Sequence, residues 1–146
     1  MMNAKQMWDK FLDKEAGDSY DAWQYGSHAN GLALLTLLKI KTATSSAYPI
    51  YVQYDEPLPQ VGSYSIILDK QDYAVCIIQT TEVTIIPFDQ VNDEHAYLEG
   101  EGDRTLDYWR KIHADFFTQE MENMGQQFHK DMLVVCEKFK VVYPKS

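Results

Sequence analysis

The chain is short of several residue types. It has only two cysteines, Cys76 and Cys136, too few for a disulfide scaffold. Both sit in apolar runs (AVCIIQ and LVVCEKF) that suit buried thiols. There is no CxxC and no paired-histidine spacing, so neither a metal nor a cofactor is expected. Long hydrophobic runs are also missing. The longest apolar-leaning stretch, residues 31–40, is interrupted by Thr36 and Lys39, whereas a membrane span needs about 20 residues. The opening MMNAKQMWDKFLDKEAGD lacks the apolar core of a signal peptide. A cytoplasmic protein with no membrane partner is the expectation. Positive charge is scarce: 13 Lys plus Arg face 22 Asp plus Glu, a net charge of −9. Tight, sequence-independent binding to a nucleic-acid backbone depends on basic groups displacing counterions. No DNA partner is therefore expected, and extended RNA is disfavoured.

What is present suits one folded domain. The chain has 146 residues, 45% apolar and 24% charged, enough for its own core. No repeat, linker or low-complexity tract divides it, so residues 1–146 are read as one unit. Met7, Trp8 and Phe11 give 4–14 the spacing of a short amphipathic helix. A turn-rich connection at 16–20 follows. Asn30 is a candidate cap for a leucine-rich helix that ends near Lys39 and Lys41, where lysines complement the helix dipole. Thr42, Thr44 and Pro49 then favour extended chain. The runs 63–69 and 73–88 read as strands joined by a hairpin at 69–72, and the second is long enough that it should bend. An acidic connection covers 88–102. Asp103 or Thr105 can cap a further helix with Leu106, Trp109, Ile112 and Phe116 on one face, and 132–143 is a final strand. The class is α+β, a small mixed or antiparallel β-barrel decorated by about three helices.

Two segments can carry chemistry. In Lys41-Thr42-Ala43-Thr44-Ser45-Ser46, a buried lysine with a lowered pKa can activate a neighbouring hydroxyl. The same residues also read as a dipole-complementing lysine followed by an edge strand. Lys41 and Thr44 share a face only if the turn between them stays partly helical. In Glu99-Gly100-Glu101-Gly102-Asp103, the glycines permit positive φ and can turn the carboxylates inward for acid–base work. The plainer reading is a solvated acidic loop. Trp23, Tyr25, Tyr48 and Tyr51 can stack on a base or simply fill the core. Arg110 can pair with an acid or hold an anion.

Taken together, Trp23-Gln24-Tyr25-Gly26, the leucine-rich helix, the KTATSS run, EGEGDRTL and Tyr108-Trp109-Arg110 with His113 resemble the ASCH domain family, in its longer bacterial branch. The resemblance spans about 20–143 and implies a PUA-like barrel with a cleft beneath its helices. One branch of that family hydrolyses the acetyl amide of N(4)-acetylcytidine with a lysine, a threonine and a glutamate. Other members are linked to RNA binding or ribonuclease activity. By position the resemblance implies catalytic Lys41, Thr44 and Glu101. Trp23, Tyr25, Lys39, Ser45, Glu99 and Arg110 are expected at the substrate. The family pattern GxKxxExR has glycine where this chain has Lys39, and Glu and Arg where it has Thr44 and Ser46.

Two functions of different class follow. One is an amidohydrolase on an acylated cytidine-type nucleoside, with Lys41 as base, Thr44 as nucleophile and Glu101 as water-positioning group or acid. The other is a non-catalytic module for a nucleoside, nucleotide or RNA end. Between Asp89 and Glu122 there are ten acids and three basic residues, so the acidity is concentrated around the expected cleft. A small nucleoside or nucleotide is therefore the expected partner, ahead of RNA.

Overall fold

The computed structural model describes residues 1–145. Its centre is the hairpin of β3 (Tyr64–Leu68) and β4 (Ala74–Pro87). The Asp69 side chain closes the turn by accepting from the Gln71 and Tyr73 amides at 2.8 and 3.0 Å. The bend expected of the long strand is present, since the β4–β5 register shifts at Ile77/Ile78 and again between Thr80 and Glu82. β5 (Leu133–Tyr143) runs antiparallel to β4, and β2 (Ala43–Ala47) runs antiparallel to the first half of β5. A four-residue strand to which the sequence assigns no element, β1 (Tyr20–Trp23), pairs in parallel with β3. The order is β1-β3-β4-β5-β2.

The mixed α+β class is therefore present, but the sheet does not close into a barrel. Its ladder ends at β1 and β2, both short strands, and a cleft of about 770 Å³ is lined from both of these edges.

Five α-helices occur among the described residues, more than the three expected. α1 (Ala4–Lys10) is shorter than the 4–14 reading and carries a capping box between Asn3 and Gln6. α2 (Ala29–Leu37) starts two residues earlier than an Asn30 cap allows; Asn30 instead accepts from the Lys70 amide at 2.7 Å. Leu34 of α2 and Leu38 just after it are exposed, while Ala33 and Thr36 are buried. α3 (Tyr48–Gln53) and α4 (Asp93–Glu99) were read as extended chain and connection. Pro49 does not prevent α3 because it lies in the first turn, where no helical amide is lost. In α5 (Leu106–Asn123) the buried stripe is Trp109, His113, Phe117 and Met121. That is an i, i+4 row rotated from the expected face, and Ile112 is exposed. Thr105, not Asp103, is its cap and accepts from the Tyr108 amide. No described helix is long and apolar enough to cross a membrane.

The end of α2 positions the site. The Lys39 amide donates to the Thr36 carbonyl at 2.9 Å and the Ile40 amide to the Leu35 carbonyl at 3.0 Å, the paired bonds of a Schellman turn. Lys39 takes the left-handed position with φ of 63°, where glycine is ordinarily favoured. The glycine of the family pattern thus reflects a backbone requirement. Lys39→Gly should raise stability by about 1 kcal/mol, the lower end of the cost of this conformation for a residue with a Cβ. Thermal melting checks this. An unchanged or lowered midpoint would mean that the lysine side chain holds the turn by a contact worth as much as the strain.

Candidate functional site

The turn delivers Lys41 into the protein rather than to the helix dipole. The chain there is pinned on both sides. The Thr42 amide donates to the Leu98 carbonyl at 2.8 Å, and the Thr42 carbonyl accepts from the Phe139 amide at 3.0 Å. The Lys41 side chain is 1% exposed, and its Nζ lies 3.1 Å from Glu99 Oε1 and 3.0 Å from Glu101 Oε2. The two acids can face one lysine because Gly100 and Gly102 both take positive φ, 74° and 58°. The glycine reasoning from sequence therefore holds. The EGEGD segment is no solvated loop at Glu99, although Glu101 keeps partial exposure.

Glu99 is the hub. Its Oε2 accepts from Ser45 Oγ at 2.5 Å and from Trp109 Nε1 at 2.5 Å, and lies 2.9 Å from His95 Nε2. His113 Nε2 approaches Oε1 at 3.6 Å, and His113 Nδ1 is 2.9 Å from the Trp109 carbonyl. Both ring nitrogens of His113 therefore face acceptors, as suits an imidazolium. Ser45 also lies 2.7 Å from His95 Nε2, but its short bond to Glu99 makes it a donor to that carboxylate rather than a nucleophile awaiting a base.

The charges follow from this geometry. Burial favours a neutral Glu99, yet Lys41, His113 and His95 hold its carboxyl well below the usual range. Burial alone pulls the Lys41 pKa down, but Glu99 and Glu101 more than reverse this and leave it raised. The lowered lysine pKa expected from sequence is thus overturned: Lys41 is a clasped ammonium. Burial opposes a charged His113, and Glu99 wins again, so its pKa is raised. One ligand atom each from Glu99, Glu101 and His113 comes within 4.8 Å of the others, as in a metal site. The Lys41 ammonium, however, already bridges the two carboxylates.

The cleft lies beside this network. Trp23, Tyr25, Thr44 and Ser45 line it, together with Tyr51 and Phe116. Tyr25 stands between the cleft and Lys41: its ring is 5.2 Å from Nζ and its hydroxyl is bonded to Thr36 Oγ1 at 2.8 Å. Thr44 is in β2 and its hydroxyl makes no hydrogen bond among the described residues. Of the remaining expected site residues, Lys39 and Arg110 do not line the cleft. Arg110 is on the exposed side of α5 and reaches the Asp89 carbonyl at 3.4 Å. Glu99 and Glu101 meet Lys41 rather than the cleft itself.

From the sequence His95 reads as a surface or satisfied histidine, and Glu137 is not singled out. His95 was hidden because α4 was read as connection. Glu137 was legible as the acid of β5, on the same side as Val135 and Phe139, both buried.

An ASCH domain family model matches residues 21–143. The chain belongs to the ASCH domain family. An ASCH domain from Lactobacillus crispatus JV V101 is 33% identical with a TM-score of 0.89, covering 95% of this chain and 93% of that one. A protein from Enterococcus faecalis V583 is 41% identical with a TM-score of 0.85, covering 94% and 86%. No curated protein matches significantly. In this ASCH domain the matched span takes in β1 through β5, and so holds both the clasp and the cleft wall.

Proposed function

We propose that this ASCH domain is an amidohydrolase acting on an acylated, cytidine-type nucleoside. The observation that carries the reading is Thr44: an unbonded hydroxyl on the wall of a ligand-sized cleft, three residues from a fully buried ammonium. A cleft of about 770 Å³ falls in the range of small-molecule sites. Its described lining has aromatic rings for a base and four acids, Asp21, Glu56, Glu120 and Glu137, with no lysine or arginine. That lining repels phosphate and suits an uncharged nucleoside rather than a nucleotide or RNA. Oε1 of Glu120 is buried without a partner, an acceptor that a ligand N–H satisfies.

In this reading Thr44 Oγ attacks the amide carbonyl. Lys41 supplies fixed positive charge behind β2 for the developing oxyanion. Glu99 and Glu101 hold that charge in place. The test follows release of cytidine and acetate from N(4)-acetylcytidine. Thr44→Ala should lose about 10³-fold or more in kcat while melting normally. Wild-type turnover in that variant would remove Thr44 as nucleophile. Binding of the nucleoside with no turnover by the wild type would make the domain a binding module instead.

A further inference from the structure

The clasp leaves the nucleophile without a base. Lys41 is protonated and committed to two carboxylates, so it cannot take the Thr44 proton in this state. The sheet provides another group. Thr44 and Glu137 are direct partners in the β2–β5 register, so their side chains leave the same face of the sheet. Directly opposed residues have Cβ atoms about 4.5–5.5 Å apart. Both line the cleft. We propose that Glu137 is the general base that activates Thr44, and then the water that releases the acyl group.

This inference rests on the amidohydrolase reading and adds a catalytic residue to it. The carboxyl is positioned by the Thr80 hydroxyl, which donates to Glu137 Oε2 at 3.1 Å. Oε1 makes no hydrogen bond among the described residues, which leaves it for the cleft. Burial pushes the Glu137 pKa up and the Thr80 hydroxyl partly offsets this. A carboxylate with a raised pKa is a stronger base. The ionisable groups of the cleft around it are Tyr51 of α3, Glu56 after α3, Glu120 of α5, Asp21 of β1 and Tyr25. Among the described residues that line the cleft there is no lysine or arginine.

The protons balance. As Thr44 Oγ bonds to the amide carbon, its proton passes to Glu137. The C–N bond breaks, and Glu137 returns that proton to the leaving amine. Water then adds to the acyl–Thr44 ester and gives a proton to Glu137. The C–Oγ bond breaks, and Glu137 reprotonates Thr44. The net change is amide plus water to carboxylic acid plus amine.

Two reactions test this with the intact chain. The first is hydrolysis of N(4)-acetylcytidine as a function of pH. The second is acetylation of Thr44 by p-nitrophenyl acetate, read by intact mass and peptide mapping. Glu137→Gln should slow both by about 10²-fold or more, with nucleoside affinity within about threefold and unchanged melting. Thr80→Val should move the acid limb of kcat/KM upward, because the hydroxyl that partly offset the effect of burial on the Glu137 pKa is gone. A merely structural Glu137 would not produce that displacement. If Glu137→Gln keeps either reaction within about threefold of wild type, the inference is overturned. If the nucleoside is not hydrolysed but Thr44 is acetylated in a Glu137-dependent way, the base assignment stands and the nucleoside reading falls. If Thr44 of the wild type is never acetylated and nothing is hydrolysed, both fall.

Discussion

Replacing Lys41 by methionine is expected to cost about 3–5 kcal/mol, the range for removing one partner of a buried ion pair. A domain of this size has about 5–15 kcal/mol in total, so the variant should unfold far more readily in urea. The cause is not lost packing, since methionine fills much of the same space. It is the Glu99 carboxylate, fully buried, which would keep its hydrogen bonds from Ser45 and Trp109 but lose its main counter-charge. The penalty should depend on pH, and its sign can be worked out. In the wild type the Glu99 pKa is depressed from an ordinary 4.5. Its contribution is therefore present above that value and is lost as pH falls through the folded-state pKa. The raised Lys41 pKa, from an ordinary 10.5, gives a contribution present below that value and lost only as pH rises through the folded-state one. The clasp is intact between these limits. Without Lys41, burial drives the Glu99 pKa up, and protonation relieves the variant in acid. The gap between wild type and Lys41→Met should thus be wider at pH 8 than at pH 5. Adding Glu99→Gln to Lys41→Met should recover a large part of the loss, because no buried charge is then left unpaired. A Lys41→Met loss below about 1 kcal/mol at pH 8 would mean that solvent already screens the pair.

The three longer-patterned strands were legible in the sequence because their signals are local. β3, β4 and β5 are runs of β-branched residues with turn chemistry between them, and the bend of β4 followed from its length. α4 and β1 were not legible. Neither has a periodic apolar pattern of its own: α4 is seven residues and is ordered by Asn92 at its start, Gly100 at its end and the burial of His95 and Glu99. β1 is four residues and exists because β3 offers it an edge. The site was half legible. Proximity of KTAT to EGEGD required knowing that residues about 60 apart meet, which came from the family resemblance and not from spacing. Once they meet, local reasoning about one residue fails. Burial alone argues for a neutral Lys41, and the two acids it meets reverse the sign. Likewise, Glu137 becomes interesting only through the β2–β5 register, which no local pattern specifies.

The largest backbone effect is expected at Gly100. It ends α4 in the left-handed region with φ of 74°, and a Cβ built there would lie 2.6 Å from the Ile40 carbonyl oxygen and 2.9 Å from its carbon. Gly100→Ala therefore meets two penalties. The conformation costs about 1–2 kcal/mol for any residue with a Cβ. The overlap is with backbone, which cannot swing aside as a side-chain end does, and forced shifts of this kind cost about 1–3 kcal/mol more. A loss of about 3 kcal/mol is expected in urea titration. Gly17→Ala is the control, because its φ of 92° is equally demanding but nothing lies within 4 Å of the added Cβ. It should lose only the conformational part. The difference between the two variants isolates the contact between the end of α4 and the residue before Lys41. Relieving that overlap moves the α4 terminus away from Ile40, and with it the Leu98 carbonyl that holds the Thr42 amide and the two glutamates that hold Lys41. Gly100→Ala should accordingly impair hydrolysis of N(4)-acetylcytidine even under conditions where it remains folded, whereas Gly17→Ala should not. Equal losses in the two variants would show that Gly100 is needed for its φ alone, and that the close approach of α4 to Ile40 does not set the position of the clasp.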